Sequence, residues 1–315
     1  MNSKGNTIFL AIIACLLWST AYATIKLGLQ YDTPFHFAGV RFIISGIMVL
    51  PFTVKPVVYI GMIREHWKVI AWVTILQTLI NYGLFYHGLA LVPGAVGAVI
   101  VGSQPLVTAV VAAIMHNDDK LTRKKIFTII FGIAGVVFIS AGRQAFKLGT
   151  AIELLGVLML LIANIAVATS NVIVSLRSKG INPLVLSSST LFIGGVILYL
   201  ISIPAEGSGP FILFPEYWFL LMWLSFMAAC AFSLWFMLLQ RPGVKVSELN
   251  LWKFIIPVVG AILSWVLIPG EKPEWLTIAG MFIITTSLIM FYKNNKEVVS
   301  EQNKSIQVCE KESLL

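Results

Sequence analysis

GLALVPGAVGAVIVGSQPLVTAVVAAIM, residues 88–115, is apolar and long enough to cross a bilayer, yet it carries Gln104 and Pro105 at mid-depth and small residues at Gly94, Ala98 and Gly102. A helix that had only to dissolve in lipid needs none of these. Small residues four apart admit a neighbouring backbone, and a proline within the membrane frees a carbonyl that protein or cavity water must satisfy. The stretch therefore reads as a helix lining a pathway, and the rest of the chain is read against it.

Of the 315 residues 58% are hydrophobic and only 11% charged, against about 25% charged in soluble domains. With a mean hydropathy of +0.91, the chain is an integral membrane protein. A bilayer core of about 30 Å takes roughly 17–25 apolar residues per helix. Ten blocks qualify or nearly do: residues 7–27, 37–53, 69–91, 94–115, 126–141, 154–176, 184–203, 218–239, 247–268 and 275–292. The predicted fold class is all-α integral membrane. Residues 1–4 form too short an n-region for a signal peptide, so the first block reads as a retained helix. Cys15, Cys230 and Cys309 lack metal-site or disulfide spacing.

The net charge of +8 points to no nucleic acid, because the basic residues lie between apolar blocks. Their distribution sets an orientation. With the N-terminus in the cytoplasm, sixteen of the 22 Lys and Arg residues fall inside, and only Arg143, Lys147 and Lys272 fall outside. Lys26, Arg41 and Lys253 lie in or near spans. The positive-inside rule then puts both termini in the cytoplasm, which requires an even number of spans. Residues 293–315 are polar and mixed in charge, and read as a disordered cytoplasmic tail.

The chain also repeats itself weakly but in order. AYATIK from Ala21 matches AVATSN from Ala166, Pro34 matches Pro183, Pro105 matches Pro257, and Asp119 matches Glu271. This divides the chain into residues 1–145 and 146–292, five helices each. An odd number per half makes the second half enter from the opposite side, and such inverted repeats place a site near the midplane between them.

WSTAYATIKLGL from Trp18, followed by Pro34 and Arg41, and then YGLFYHGLALVPGAVGAVIVGSQPLVTAVVAAI from Tyr82, resembles the EamA-type proteins of the drug/metabolite transporter superfamily. FIIPVVGAILSWVLIPGEKP from Phe254 repeats the likeness more loosely. The resemblance implies a ten-helix inner-membrane carrier with a central pathway, in many relatives an exporter of amino acids or other metabolites. The chain departs from the family pattern before the helix-four proline: where an acid often stands it has Gln104, with Ile256 at the matching place in the second half.

Polar groups inside spans are costly, so they face the bundle interior or a wet cavity. At 3.6 residues per turn, Thr74, Gln77, Thr78 and Asn81 share one arc, with Tyr82 beside it; the arc serves either helix packing or a cavity wall. Asn164, Asn171 and Ser175 share a face of the sixth helix. Lys253, Pro257, Gly260 and Ser264 form a stripe on the ninth. Lys253 lies about 9 Å deep, where its stem could also snorkel to the interface. Lys26 and Arg41, nearer the outer ends, read as orienting or gating groups, and His87 as a packing residue. Trp18, Tyr22, Trp235 and Trp252 lie inside spans and could flank a flat or apolar ligand, whereas Trp67, Tyr217, Trp218 and Trp275 lie where interfacial aromatics belong.

Candidate substrate-binding residues are therefore Trp18, Tyr22, Gln77, Asn81, Tyr82, Gln104, Asn164, Asn171, Trp252 and Lys253, with hinges at Pro105 and Pro257. No HExxH, P-loop or GxSxG motif is present, so no catalytic residue, metal or cofactor is expected, and the HNDD run at His116 reads as a turn. The expected function is secondary transport of small polar metabolites, amino acids or related compounds, outward by alternating access. A channel-like facilitator, an importer and an intramembrane lipid-modifying enzyme are the alternatives. The expected partners are a small-molecule substrate and the lipid bilayer; the oligomeric state is left open.

Overall fold

The computed structural model describes residues 4–92, 94–115, 119, 122–141, 151–207, 214–267 and 273–290. All regular structure in them is helical, in ten units. These are α1 (Lys4–Gly28), α2 (Pro34–Val49), α3 (Pro56–Val73, the π-helical Thr74–Ile80 and Asn81–Leu91), α4 (Gly94–Gly102 and Gln104–Met115) and α5 (Arg123–Ala141). The second half has α6 (Ala151–Arg177), α7 (Pro183–Glu206), α8 (Pro215–Leu239), α9 (Val246–Leu251, the 3-10 turn Trp252–Phe254 and Ile255–Leu267) and α10 (Trp275–Met290). Among the described residues six helices are long and apolar enough to span a bilayer, and three further apolar helices are shorter. The tail at 293–315 and the loop residue Glu271 lie outside the described residues.

Local chemistry sets the ends. Pro34, Pro56, Pro183 and Pro215 open their helices, where a missing N–H costs nothing and the fixed φ is already helical. Asn182 caps α7 by accepting from Leu184 N at 2.9 Å, and Gly207, at φ 86, closes it by returning its N–H to Ile203 O. α3 joins two helices across a kink at His66, where the backbone leaves the helical region. The first opens at Pro56 and carries Arg64 and Glu65, and the second takes up the apolar run predicted from residue 69.

The packing exchanges the halves. α1 packs on α8 and α3 on α6; α1 packs on α9 and α4 on α6. Each pair becomes the other when every helix is replaced by the one five places away. α2–α7, the most extensive helix contact among the described residues, and α5–α10 map onto themselves. Both are built on glycine: a Cβ on Gly195 would lie 2.6 Å from Ile43 N and 2.9 Å from Gly39 O, and one on Gly135 would lie 2.8 Å from Gly280 O. Such approach is how helices associate where lipid supplies no hydrophobic drive. The largest buried cluster draws on both halves, joining Phe42, Val73 and Tyr86 to Phe232, Trp235 and Leu249. Outward, Ile114, Val266 and Phe282 are exposed, as lipid-facing positions should be.

Gly195→Ala places a methyl against α2 backbone that cannot step aside. It is expected to cost about 1–3 kcal/mol, the range for overpacking, and to lower the thermal midpoint of the detergent-solubilised protein. Gly61→Ala, with nothing within 4 Å of the added carbon, is the control; equal behaviour of the two would contradict the packing account.

Candidate substrate pathway

Two broken helices, one from each half, meet at the centre. α4 is interrupted at Ser103, two residues before Pro105. The Ile100 carbonyl beside the break accepts Asn164 Nδ2 from α6 at 2.6 Å and the Ser103 hydroxyl at 2.6 Å. In α9 the backbone tightens to a 3-10 turn at Trp252–Phe254, just before Pro257. That turn carries Lys253, whose Nζ donates to Gln104 Oε1 at 3.2 Å and lies 4.7 Å from the centroid of Trp235 and 5.3 Å from that of Trp18. The two indoles meet edge-on at 5.1 Å. Lys253 is buried, so its amine points into the bundle rather than snorkelling to the interface.

The other sequence candidates divide. Asn171 Nδ2 donates to Asn250 Oδ1 at 3.2 Å, a buried tie between α6 and α9, while Asn164 is spent on the α4 break. Thr74, Gln77 and Thr78 are buried in the π-helical stretch; Thr78 packs on Gly194 of α7, and Gln77 Oε1 has no hydrogen-bond partner. Asn81 is half-buried one residue past that stretch. Tyr82 packs on Phe42 at 4.7 Å. Trp252 packs partly buried on the central cluster, Pro105 is buried and Pro257 half-buried. The side chain of Tyr22 lies outside the described residues. The structure thus brings Trp18, Gln104 and Lys253 together, and Tyr82 lies in a second aromatic group nearer the far face. A surface groove of about 500 Å3 between Leu27–Tyr31 and Pro215–Leu220 touches none of them.

Each face of the bundle carries a polar clasp joining the halves. On the face where α1 begins, Lys125 Nζ donates to Asp119 Oδ1 and to Ser247 Oγ, each at 2.8 Å, and Ser247 N donates to Asp119 Oδ2 at 2.8 Å. The Ser247 hydroxyl also donates to Asp119. Asp119 and Lys125 are buried. Burial pushes the Asp119 carboxyl up, but the hydrogen bonds from Lys125 and Ser247 outweigh it and hold the group below its ordinary range. On the opposite face Tyr217 donates to Asp32 Oδ2 at 2.6 Å, His36 Nδ1 lies 2.8 Å from Asp32, and Glu206 accepts the N–H groups of Phe35 and His36 at 2.9 and 3.0 Å. Tyr217 is therefore a buried partner of Asp32, not an interfacial belt residue; Trp67, Trp218 and Trp275 are exposed. Spacing gave no sign of either clasp beyond the position of Asp119 after α4.

Two helical halves, each with a broken helix, closing on a buried cation and aromatic rings is the architecture of a membrane transporter. The chain belongs to the EamA-like transporter family, whose profile matches it twice, over residues 5–141 and 154–293. It is 25% identical over 300 residues to YvbV, an uncharacterised transporter of Bacillus subtilis, covering 93% of each chain. It is 24% identical over 291 residues to a probable amino-acid metabolite efflux pump of Escherichia coli, covering 89% of this chain and 92% of that one. A crystal structure shares the fold with a TM-score of 0.79 at 19% identity, over 94% of this chain and 99% of its own. The protein is a multi-pass membrane transporter and not an enzyme.

A carboxyl held below its ordinary range stabilises the fold above that range and loses the effect as pH falls through its lowered value. Asp119→Asn is expected to lower the thermal midpoint at neutral pH, and the gap to wild type is expected to close under acidic conditions. A gap that stays constant down to the acid limit would contradict the assigned ion pair.

Proposed function

We propose that the chain is a secondary carrier that exports small polar metabolites of the amino-acid kind across the cell's inner membrane, with both termini cytoplasmic and ten spans in two inverted halves, 1–145 and 146–292. The observation that carries this reading is the Lys253–Gln104 contact. It joins the broken helices of the two halves, walled by Trp18 and Trp235, in the layer between the two clasps. A cation buried with one amide partner and aromatic faces can exchange that partner for a polar group of a ligand at small net cost, because the amide is neutral.

Alternating access follows from the clasps. Asp119–Lys125–Ser247 closes the face where α1 begins, cytoplasmic by the charge count, and Asp32–Tyr217 with Glu206–Phe35 closes the other. Opening one while the other holds exposes the central layer to one side at a time. Pro105 and Pro257 supply the helix breaks about which each half bends. The efflux role named for the Escherichia coli relative supports export of an amino-acid-like cargo.

Counterflow of labelled amino acids into proteoliposomes tests the reading. Uptake is expected to saturate, and Lys253→Ala is expected to slow it by roughly tenfold or more, in line with about 1.5–3 kcal/mol for a hydrogen bond to a charged group, with protein abundance retained. Flux that never saturates would make the protein a facilitator. Abundance lost in step with activity would make Lys253 a packing residue.

A further inference from the structure

Arg41 lies seven residues into α2, about 10 Å below its end at 1.5 Å per residue, and is only 2% exposed. Its Nε and Nη1 have no hydrogen-bond partner. Its guanidinium carbon is 4.4 Å from the centroid of Phe42 and 5.3 Å from that of Tyr82. Tyr86 lies beside Tyr82 with ring centroids 6.2 Å apart, and its buried hydroxyl also lacks a partner. Rings offset part of the cost of burying a cation, but a guanidinium with two idle donors remains expensive in a low-dielectric interior. Such a group is sustained when an anion joins it during the working cycle.

We infer that Arg41 is the carboxylate anchor of the cargo, which makes the substrate a monocarboxylate with an apolar or aromatic body; the inference rests on the carrier reading above. The planar guanidinium offers a carboxylate two edges of parallel N–H donors, Nε with Nη2 and Nη1 with Nη2, and each edge contains one of the two unpartnered nitrogens. Tyr86 O–H stands as a third donor in the same group. Phe42 and Tyr82 fix the plane of the fork and give the body of the ligand an aromatic face. That face continues inward: Phe42 meets Phe232 at 6.4 Å, and Phe232 meets Trp18 at 5.7 Å, which leads to Lys253. A row of rings thus runs between the two buried cations. A dianion is disfavoured, since the Glu206 carboxylate lies within electrostatic reach of Tyr86, as Arg41 does, with its oxygens committed to Phe35 and His36.

Matched acid and amide pairs test the assignment on the full-length purified protein: phenylacetate against phenylacetamide, and L-phenylalanine against L-phenylalaninamide, with inorganic phosphate as a third probe. Thermal stabilisation by the acids and not by the amides or phosphate is expected, and Arg41→Gln is expected to weaken acid binding by roughly tenfold or more. Arg41→Lys, which keeps the charge without the fork, is expected to fall between them. Equal stabilisation by acid and amide, stabilisation by phosphate matching that by the acids, or no response to either acid overturns the assignment, and the wild-type comparison decides this even where Arg41→Gln fails to fold. Counterflow of the same compounds separates the two readings. Transport without acid selectivity sinks the Arg41 anchor and leaves the carrier, whereas acid-selective binding without transport sinks the carrier and leaves the anchor.

Discussion

A backbone amide or carbonyl within hydrocarbon has no water to fall back on, so every departure from the α-helix must be met by another part of the protein. The fold depends on how that demand is answered at α4. At its break the Ile100 carbonyl takes the Ser103 hydroxyl and N–H from its own helix, and Asn164 Nδ2 reaches from the other half to donate to it as well. One hydrogen bond thereby fixes the depth of α6 against α4 and holds Gln104 where Lys253 of α9 can meet it. The irregular backbone is tolerated because it is buried in protein, and once there it makes the centre of the bundle polar.

The two halves are tied most firmly at the ends and most delicately in the middle. Asp119 with Lys125 and Ser247 at one face, and Asp32 with Tyr217 at the other, are charge-assisted contacts in which each oxygen has a defined donor. Between them a lysine rests on an amide and two indoles, and an arginine on two rings. In the proposed carrier cycle, groups that release and reform suit the ends, where water can replace a lost partner, and cations with weak neutral partners suit the middle, where the proposed ligand supplies what the protein withholds.

The helices, their ends and the doubling of the chain were legible from the sequence because they follow from hydropathy and from prolines at first turns, which are local. The central pairing was half legible: Pro105, Pro257, Gln104 and Lys253 could be named, but the direction of the lysine's stem depends on Trp235 and Trp18, which only folding brings against it. Tyr217 was misjudged for one reason. Depth along a helix is readable from spacing, whereas the rotation that turns a side chain inward is set by neighbouring helices. The arc from Thr74 to Asn81 shows the same limit, since the π-helical stretch shifts the phase that a 3.6-residue period assumes. Asp119 looked like a loop acid because its partners, Lys125 and Ser247, are joined to it only by folding.

The glycine contacts that hold α2 on α7 and α5 on α10 are each their own counterpart when the halves are exchanged. Geometrically they lie on the axis of that exchange. If each half takes up the other's shape as the molecule turns its opening from one side to the other, points on the axis are carried into themselves, so these seams act as a fulcrum that need not be unmade. Close glycine packing can then persist through a movement that reverses everything around it, and the work of switching falls on the clasps at its rim.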